Sequence, residues 1–213
     1  MTQSHEYVAR HADGGRGVVV LHPWWGLSDG VREVCDSLAA ERFVVFAPDL
    51  YGGRLARTVE EAKQLAEGLD EAAGLARATA AVEHMRQQPA VSGGRLGVIG
   101  FSLGVWFALR VATLLRDEVP AAVLYYGTAA DIDHAQHRAD VLGHFADQDE
   151  WEPAEDVRAL EDGLRAAGRS AEFHVYPGTG HWFAEPDRPE AYDSAAATLA
   201  LGRTVDFLRA RLP

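Results

Sequence analysis

The sequence predicts an α/β fold, a compact and mostly parallel sheet flanked by helices. Three observations predict it. Short β-rich apolar runs alternate along the chain with segments of helical periodicity. Most of the runs are apolar at consecutive positions, as strands covered by helices on both faces must be. Successive runs begin about 20 to 50 residues apart, which leaves room for the right-handed crossovers that join parallel strands.

The first strand is GVVVLH, residues 17–22, which runs into Pro23 and a loop rich in Trp and Gly. Residues 29–41 form a helix with Val31, Val34, Cys35 and Leu38 on one stripe. FVVFAPDL, 43–50, repeats the strand design, and Pro48 ends it. Residues 51–74 are polar, Ala-rich and interrupted by Gly68 and Gly74. They predict an excursion of one or two helices and not a separate domain. A helix over 72–87 places Leu75, Val82 and Met85 on one face. RLGVIG, 95–100, is the third strand, and the densely apolar 105–115 a buried helix. AAVLYYG (121–127), VLGHFAD (141–147) and AEFHVYPG (171–178) complete the strands, the third and fifth being the least apolar. Residues 154–167 and 190–210 supply the last two helices. No repeat or low-complexity linker marks a boundary, so residues 1–213 are expected to form a single domain.

A net charge of −12 weighs against nucleic acid or an anionic membrane surface as the main partner, but leaves small anionic substrates open. The one cysteine, Cys35, permits no internal disulfide and reads as a buried small hydrophobe. No cysteine–histidine cluster suggests a metal, and neither metal nor cofactor is expected. The opening residues lack a signal-peptide pattern, and no apolar run reaches membrane-spanning length. The expected location is cytoplasmic, and the expected state a monomer or weak homodimer.

GFSLG, 100–104, matches G-x-S-x-G with a strand before it and a helix after it. In this turn the serine takes a strained conformation that lifts its hydroxyl into a site. The flanking glycines stand where side chains would collide. The alternative reading makes Ser102 a helix N-cap. A dinucleotide loop fits less well, because the G-x-G-x-x-G order is absent.

A serine nucleophile needs a base. His181, in the loop of YPGTGHWF beyond the last strand, stands at the end where parallel-sheet sites form. His22, at the end of the first strand, is its rival among nine histidines that include His5. The base needs an orienting carboxylate. HFADQDEWEP, 144–153, offers Asp149 first and Asp147 second, with Glu150 also present. Its acidic loop could equally be a solvated approach to a helix. The chain order Ser102, Asp149, His181 is that of an α/β-hydrolase.

Together VVVLHPWWG, FVVFAPDLYGG, GVIGFSLG, LYYG, HFADQDEWEP and YPGTGHWF resemble the dienelactone hydrolase family, from about residue 17 onward. The resemblance implies a sheet with little or no cap and a triad at Ser102, Asp149 and His181. Three departures stand out. The founding enzymes carry Cys where this chain has Ser102, and a thiol-activating Glu where it has Pro23. These two changes belong together, because a serine triad has no thiolate to prepare. Third, an Arg that follows the catalytic His is replaced by Glu185, which would repel an anionic substrate unless Arg54 or Arg57 compensates. The departures weigh against dienelactone itself.

The expected chemistry is acyl transfer from a small ester or lactone to Ser102, then attack by water. Leu103 and Trp24 are expected to supply the oxyanion N–H groups. Trp25, Tyr126, Trp151 and Trp182 are candidate substrate contacts, with Phe183 near the same end. Each of Trp24 and Trp25 could instead be packing. An acyltransferase or amidase would use the same triad. A non-catalytic binding protein of the same fold, or a flavodoxin-like or dinucleotide-binding domain, would need none of it.

Overall fold

In the computed structural model, residues 6–213 are described; His5 and the rest of the N-terminal stretch fall outside them. Seven strands form one sheet in the order β1-β3-β2-β4-β5-β6-β7. They are β1 (Glu6–Arg10), β2 (Gly15–Leu21), β3 (Phe43–Pro48), β4 (Val91–Phe101), β5 (Ala121–Tyr125), β6 (Asp140–Ala146) and β7 (Ala171–Tyr176). All neighbours are parallel except β1, which pairs antiparallel with β3. The helices are α1 (Asp29–Ala40), α2 (Val59–Glu67), α3 (Glu71–Arg86), α4 (Leu103–Leu114), α5 (Ala154–Ala166) and α6 (Ser194–Arg211). Among the described residues no helix is long and apolar enough to cross a membrane.

The apolar strands work as their sequences require. Val18 and Val20 point into the layer under α1 and α6, whereas Val19 and Leu21 point into the layer under α3, α4 and α5. Alternate residues thus feed two cores, and a polar residue on either face would be buried without a partner. Cys35 lies wholly inside α1's core face, where burial pushes its thiol up to about 12 and keeps it unreactive.

Two strand expectations need correction. β1 carries no strand signal in the sequence, because EYVAR is short and charged at both ends, and it is largely exposed. It forms by covering the free edge of β3, and Tyr7 Oη anchors it to α1 by donating to Asp36 Oδ1 at 2.8 Å. The third and fifth runs, the least apolar in sequence, are nevertheless buried in β4 (from Leu96 on) and β6, each with neighbours on both sides. The half-exposed strand is instead β7, at the sheet edge.

Residues 51–74 form a loop over 51–58, then α2, a short connection and the start of α3. Thr58 caps α2 by accepting from Glu61 N, and Asp70 caps α3 by accepting from Ala73 N. Gly74 does not interrupt α3. It lets α3 approach α4, since a Cβ there would lie 2.9 Å from the Phe107 ring.

Candidate active site

The site sits at the C-terminal edge of the sheet. The turn from β4 to α4 places Ser102 at φ 47° and ψ −114°. A non-glycine residue holds such a conformation only when its surroundings force it, at a cost of roughly 1–3 kcal/mol. Ser102 N donates to Tyr125 O at 2.9 Å, and Ser102 O accepts from Val105 N at 2.8 Å. Both motif glycines are sterically required. A Cβ on Gly100 would lie 2.5 Å from the Gly104 carbonyl oxygen, and one on Gly104 would collide with the carbonyl of Leu21. The same close approach brings the end of β2, and the HPWWG loop after it, against the start of α4. Ser102 makes no side-chain cap to α4, so the N-cap reading fails.

Its hydroxyl instead meets His181. Ser102 Oγ lies 3.0 Å from His181 Nε2, and His181 Nδ1 lies 2.9 and 2.8 Å from the two oxygens of Asp149. Because a carboxylate only accepts, Nδ1 carries the proton and Nε2 is left to accept from the serine. The His181 and Asp149 side chains are only 4% and 3% exposed, so little water competes for these bonds. Asp149 Oδ1 also accepts from the backbone N–H of Trp151 at 2.9 Å and of Glu152 at 3.0 Å. The loops after β6 and β7 are tied together where Gln148 N donates to Thr179 O at 3.0 Å. Parallel pairing of β6 and β7 therefore brings together residues 32 positions apart.

The other candidates fall elsewhere. Asp147 and Glu150 are exposed. His22 is fully buried and structural: Nδ1 donates to Pro23 O at 2.7 Å, and Nε2 accepts from Leu50 N at 2.9 Å. Burial lowers its pKa, which keeps the ring neutral. Leu103 opens α4, so its N–H is one of the unpaired donors at a helix N-terminus.

The tryptophans of the first loop join two distant ones. Trp24 stacks on Trp182 at 5.9 Å and meets Trp25 and Trp151 edge-on at 5.5 and 4.9 Å. Trp182 also packs against His181, with ring centres 5.1 Å apart. The cluster walls the loop that carries His181, but its members differ. Trp151 is 41% exposed and Trp24 and Trp182 are partly so, whereas Trp25 is buried under Arg188. Tyr126 has no exposed surface, and neither has Phe183. Trp25 and Tyr126 were expected to touch substrate and cannot in this arrangement, because loops from other parts of the chain cover them. Tyr126 supports His181 from below, with ring centres 5.0 Å apart.

Glu185 also differs from expectation. It is 2% exposed and accepts from Tyr126 Oη at 3.1 Å. Burial, reinforced by Asp187, pushes its carboxyl up to about 8. It is therefore mostly neutral at pH 7 and faces the interior, so it is not the group that repels an anionic substrate. Arg54 and Arg57 are exposed and do not line the cleft at Ser102.

That cleft, of about 250 Å³, is lined by Ser102, Leu103, Trp106, Phe107, Thr128 and Glu152, with Ala66, Leu69 and Glu71 from the α2–α3 excursion. Sequence reasoning missed Trp106, Thr128 and Glu152. For Glu152 the available signal was its place in the acidic loop that holds Asp149. Among the described residues no three His, Cys, Asp or Glu side chains converge as metal ligands.

Residues 5–212 match the model of the dienelactone hydrolase family. "Protein usf" of Aquifex pyrophilus is 30% identical over 213 residues, covering 95% of this chain and 91% of that protein. A Bradyrhizobium protein named "Probable 2-oxo-3-(5-oxofuran-2-ylidene)propanoate lactonase" is 29% identical, covering 95% and 88%. The solved structure "m3DLH" superposes with a TM-score of 0.86 at 27% identity, covering 98% of this chain and 92% of that one.

Proposed function

The chain belongs to the dienelactone hydrolase family of α/β-hydrolases, and from that premise we propose that it hydrolyses small esters or lactones through an acyl-enzyme on Ser102. The carrying observation is the hydrogen-bonded line from Asp149 through His181 to a strained Ser102.

In this reading His181 Nε2 takes the serine proton as Oγ attacks the carbonyl carbon. The imidazolium that forms is stabilised by Asp149, which holds Nδ1–H in place. The N–H of Leu103 and the N–H of Trp24 receive the developing oxyanion. His181 then gives its proton to the leaving alkoxide, and the acyl group stays on Ser102. A water attacks next, His181 takes its proton, and collapse of the second tetrahedral intermediate returns that proton to Ser102. In a lactone the leaving alkoxide remains tethered to the acyl group, and the product is a hydroxy acid. The modest cleft, of about 250 Å³, favours a small acyl group. The lactonase named among the relatives supports lactones as one substrate class.

Intact-protein mass after incubation with a fluorophosphonate tests the reading. One adduct is expected in the native protein, none in Ser102→Ala, and a strongly slowed one in His181→Ala. A folded native protein that takes up no adduct and turns over no ester overturns it.

A further inference from the structure

We propose that Glu152 makes the cleft beside Ser102 charge-selective: it favours acyl chains that end in a cation or a hydrogen-bond donor and turns away those that end in a carboxylate. The inference rests on the hydrolase reading above and deepens it.

Glu152 lines the same cleft as Ser102, where Leu69, Trp106 and Phe107 add apolar surface beside the polar Thr128 and Ser102. The other charged side chain on the lining, Glu71, is also acidic, and neither Lys nor Arg is among the lining residues. Lys63, from the neighbouring α2, lies over the Trp151 ring at 5.6 Å and is not part of the lining. The Glu152 carboxylate is half-buried and held in place. Thr128 Oγ1 donates to its Oε2 at 2.8 Å, and its own backbone N–H is tied to Asp149 Oδ1 at 3.0 Å. The acid is thus fixed relative to the triad and cannot swing away from a bound substrate at no cost.

Burial raises its pKa, while the Thr128 hydroxyl and His181 act in the opposite direction. A half-buried carboxylate lacks part of its hydration and gains from a nearby positive charge. A second carboxylate would share that cleft with it and suffer repulsion in the same poorly screened space. Glu185, buried with Tyr126, takes no part in this selection.

The test uses three 4-nitrophenyl esters of equal acyl length, ending in trimethylammonium, tert-butyl or carboxylate, with the uncatalysed rate subtracted. In the native protein at low salt, kcat/KM for the cationic ester is expected to exceed that for the anionic ester by at least about tenfold, the effect of one close charge pair. Raising the salt should shrink this ratio. Glu152→Gln should reduce the ratio by roughly tenfold, each rate being normalised to the tert-butyl ester of the same protein. Glu71→Gln, at an exposed position, should move it less.

A native preference for the anionic ester overturns the proposal. So does a ratio that Glu152→Gln leaves unchanged. Fluorophosphonate labelling of the same samples separates the two levels. Labelled protein with an unmoved ratio refutes the role of Glu152 alone. Protein that neither labels nor hydrolyses any of the three esters removes the hydrolase reading and this inference together.

Discussion

Replacing Glu185 by glutamine should remove a large pH dependence of stability. The side chain is buried, and its carboxyl is pushed up to about 8 from an ordinary 4.5. Below pH 4.5 it is protonated in the folded and unfolded chains alike. Between 4.5 and about 8 the unfolded chain releases the proton and the folded chain keeps it, so stability falls as pH rises through this window. The full loss, reached above pH 8, is on the order of 5 kcal/mol, roughly half of which falls between pH 5 and 7. Glutamine keeps an oxygen that can accept from Tyr126 Oη and does not titrate. Three buried histidines act with the opposite sign. His22, His137 and His144 have pKa values lowered by burial, His137 to about 4, so they add stability as pH rises toward 6.5. They are common to both proteins and cancel in the difference. Urea unfolding followed by tryptophan fluorescence, from pH 5 to 8 at fixed ionic strength, measures that difference. The gap between native and Glu185→Gln should change by roughly 2–3 kcal/mol between pH 5 and 7, in favour of the variant at the higher pH. Parallel curves would show that Glu185 ionises as freely in the folded protein as in the unfolded one, and would refute the reasoning.

Three further outcomes are expected. Asp149→Asn should leave the fold intact and lower kcat for a neutral ester by roughly 10³- to 10⁴-fold, since an amide no longer holds His181 with Nδ1 protonated; a loss under tenfold counts against its role. Gly104→Ala should lower the urea midpoint by the equivalent of about 1–3 kcal/mol or more and slow labelling of Ser102, because the new methyl meets the Leu21 carbonyl. Trp25→Ala should destabilise by roughly 3–5 kcal/mol, whereas Trp151→Ala, at an exposed ring, should cost little stability and act on KM; equal unfolding midpoints for the two would contradict the burial difference.

Much of the fold was legible because its strands are covered on both faces. Val18 to Leu21 must be apolar throughout to serve two cores, and that leaves a run visible in one dimension. β1 left no such trace, because an edge strand with polar ends owes its existence to the partner it covers. The excursion at 51–74 was legible as one or two helices through its Ala-rich, polar composition, whereas its contribution of Ala66, Leu69 and Glu71 to the cleft was not. Asp149 and Asp147 were close rivals in sequence. Only the tie between the loops after β6 and β7 separates them, one bonded to His181 and the other exposed.

By itself the sequence determined what is local. GFSLG specifies its turn because the clash that each glycine avoids lies within, or directly beside, the strand–turn–helix unit. The order of Ser102, Asp149 and His181 likewise follows from where strands end. Tertiary structure alone decided which side chains face the site. His22 is held by Leu50 and Pro23, Tyr126 and Glu185 are sealed together beneath His181, and Glu152 looks into the cleft. The physical reason is that burial, and with it charge state and availability to a substrate, depends on what other segments lay over a residue. Those segments lie tens of positions away, and no pattern within one strand or loop records them.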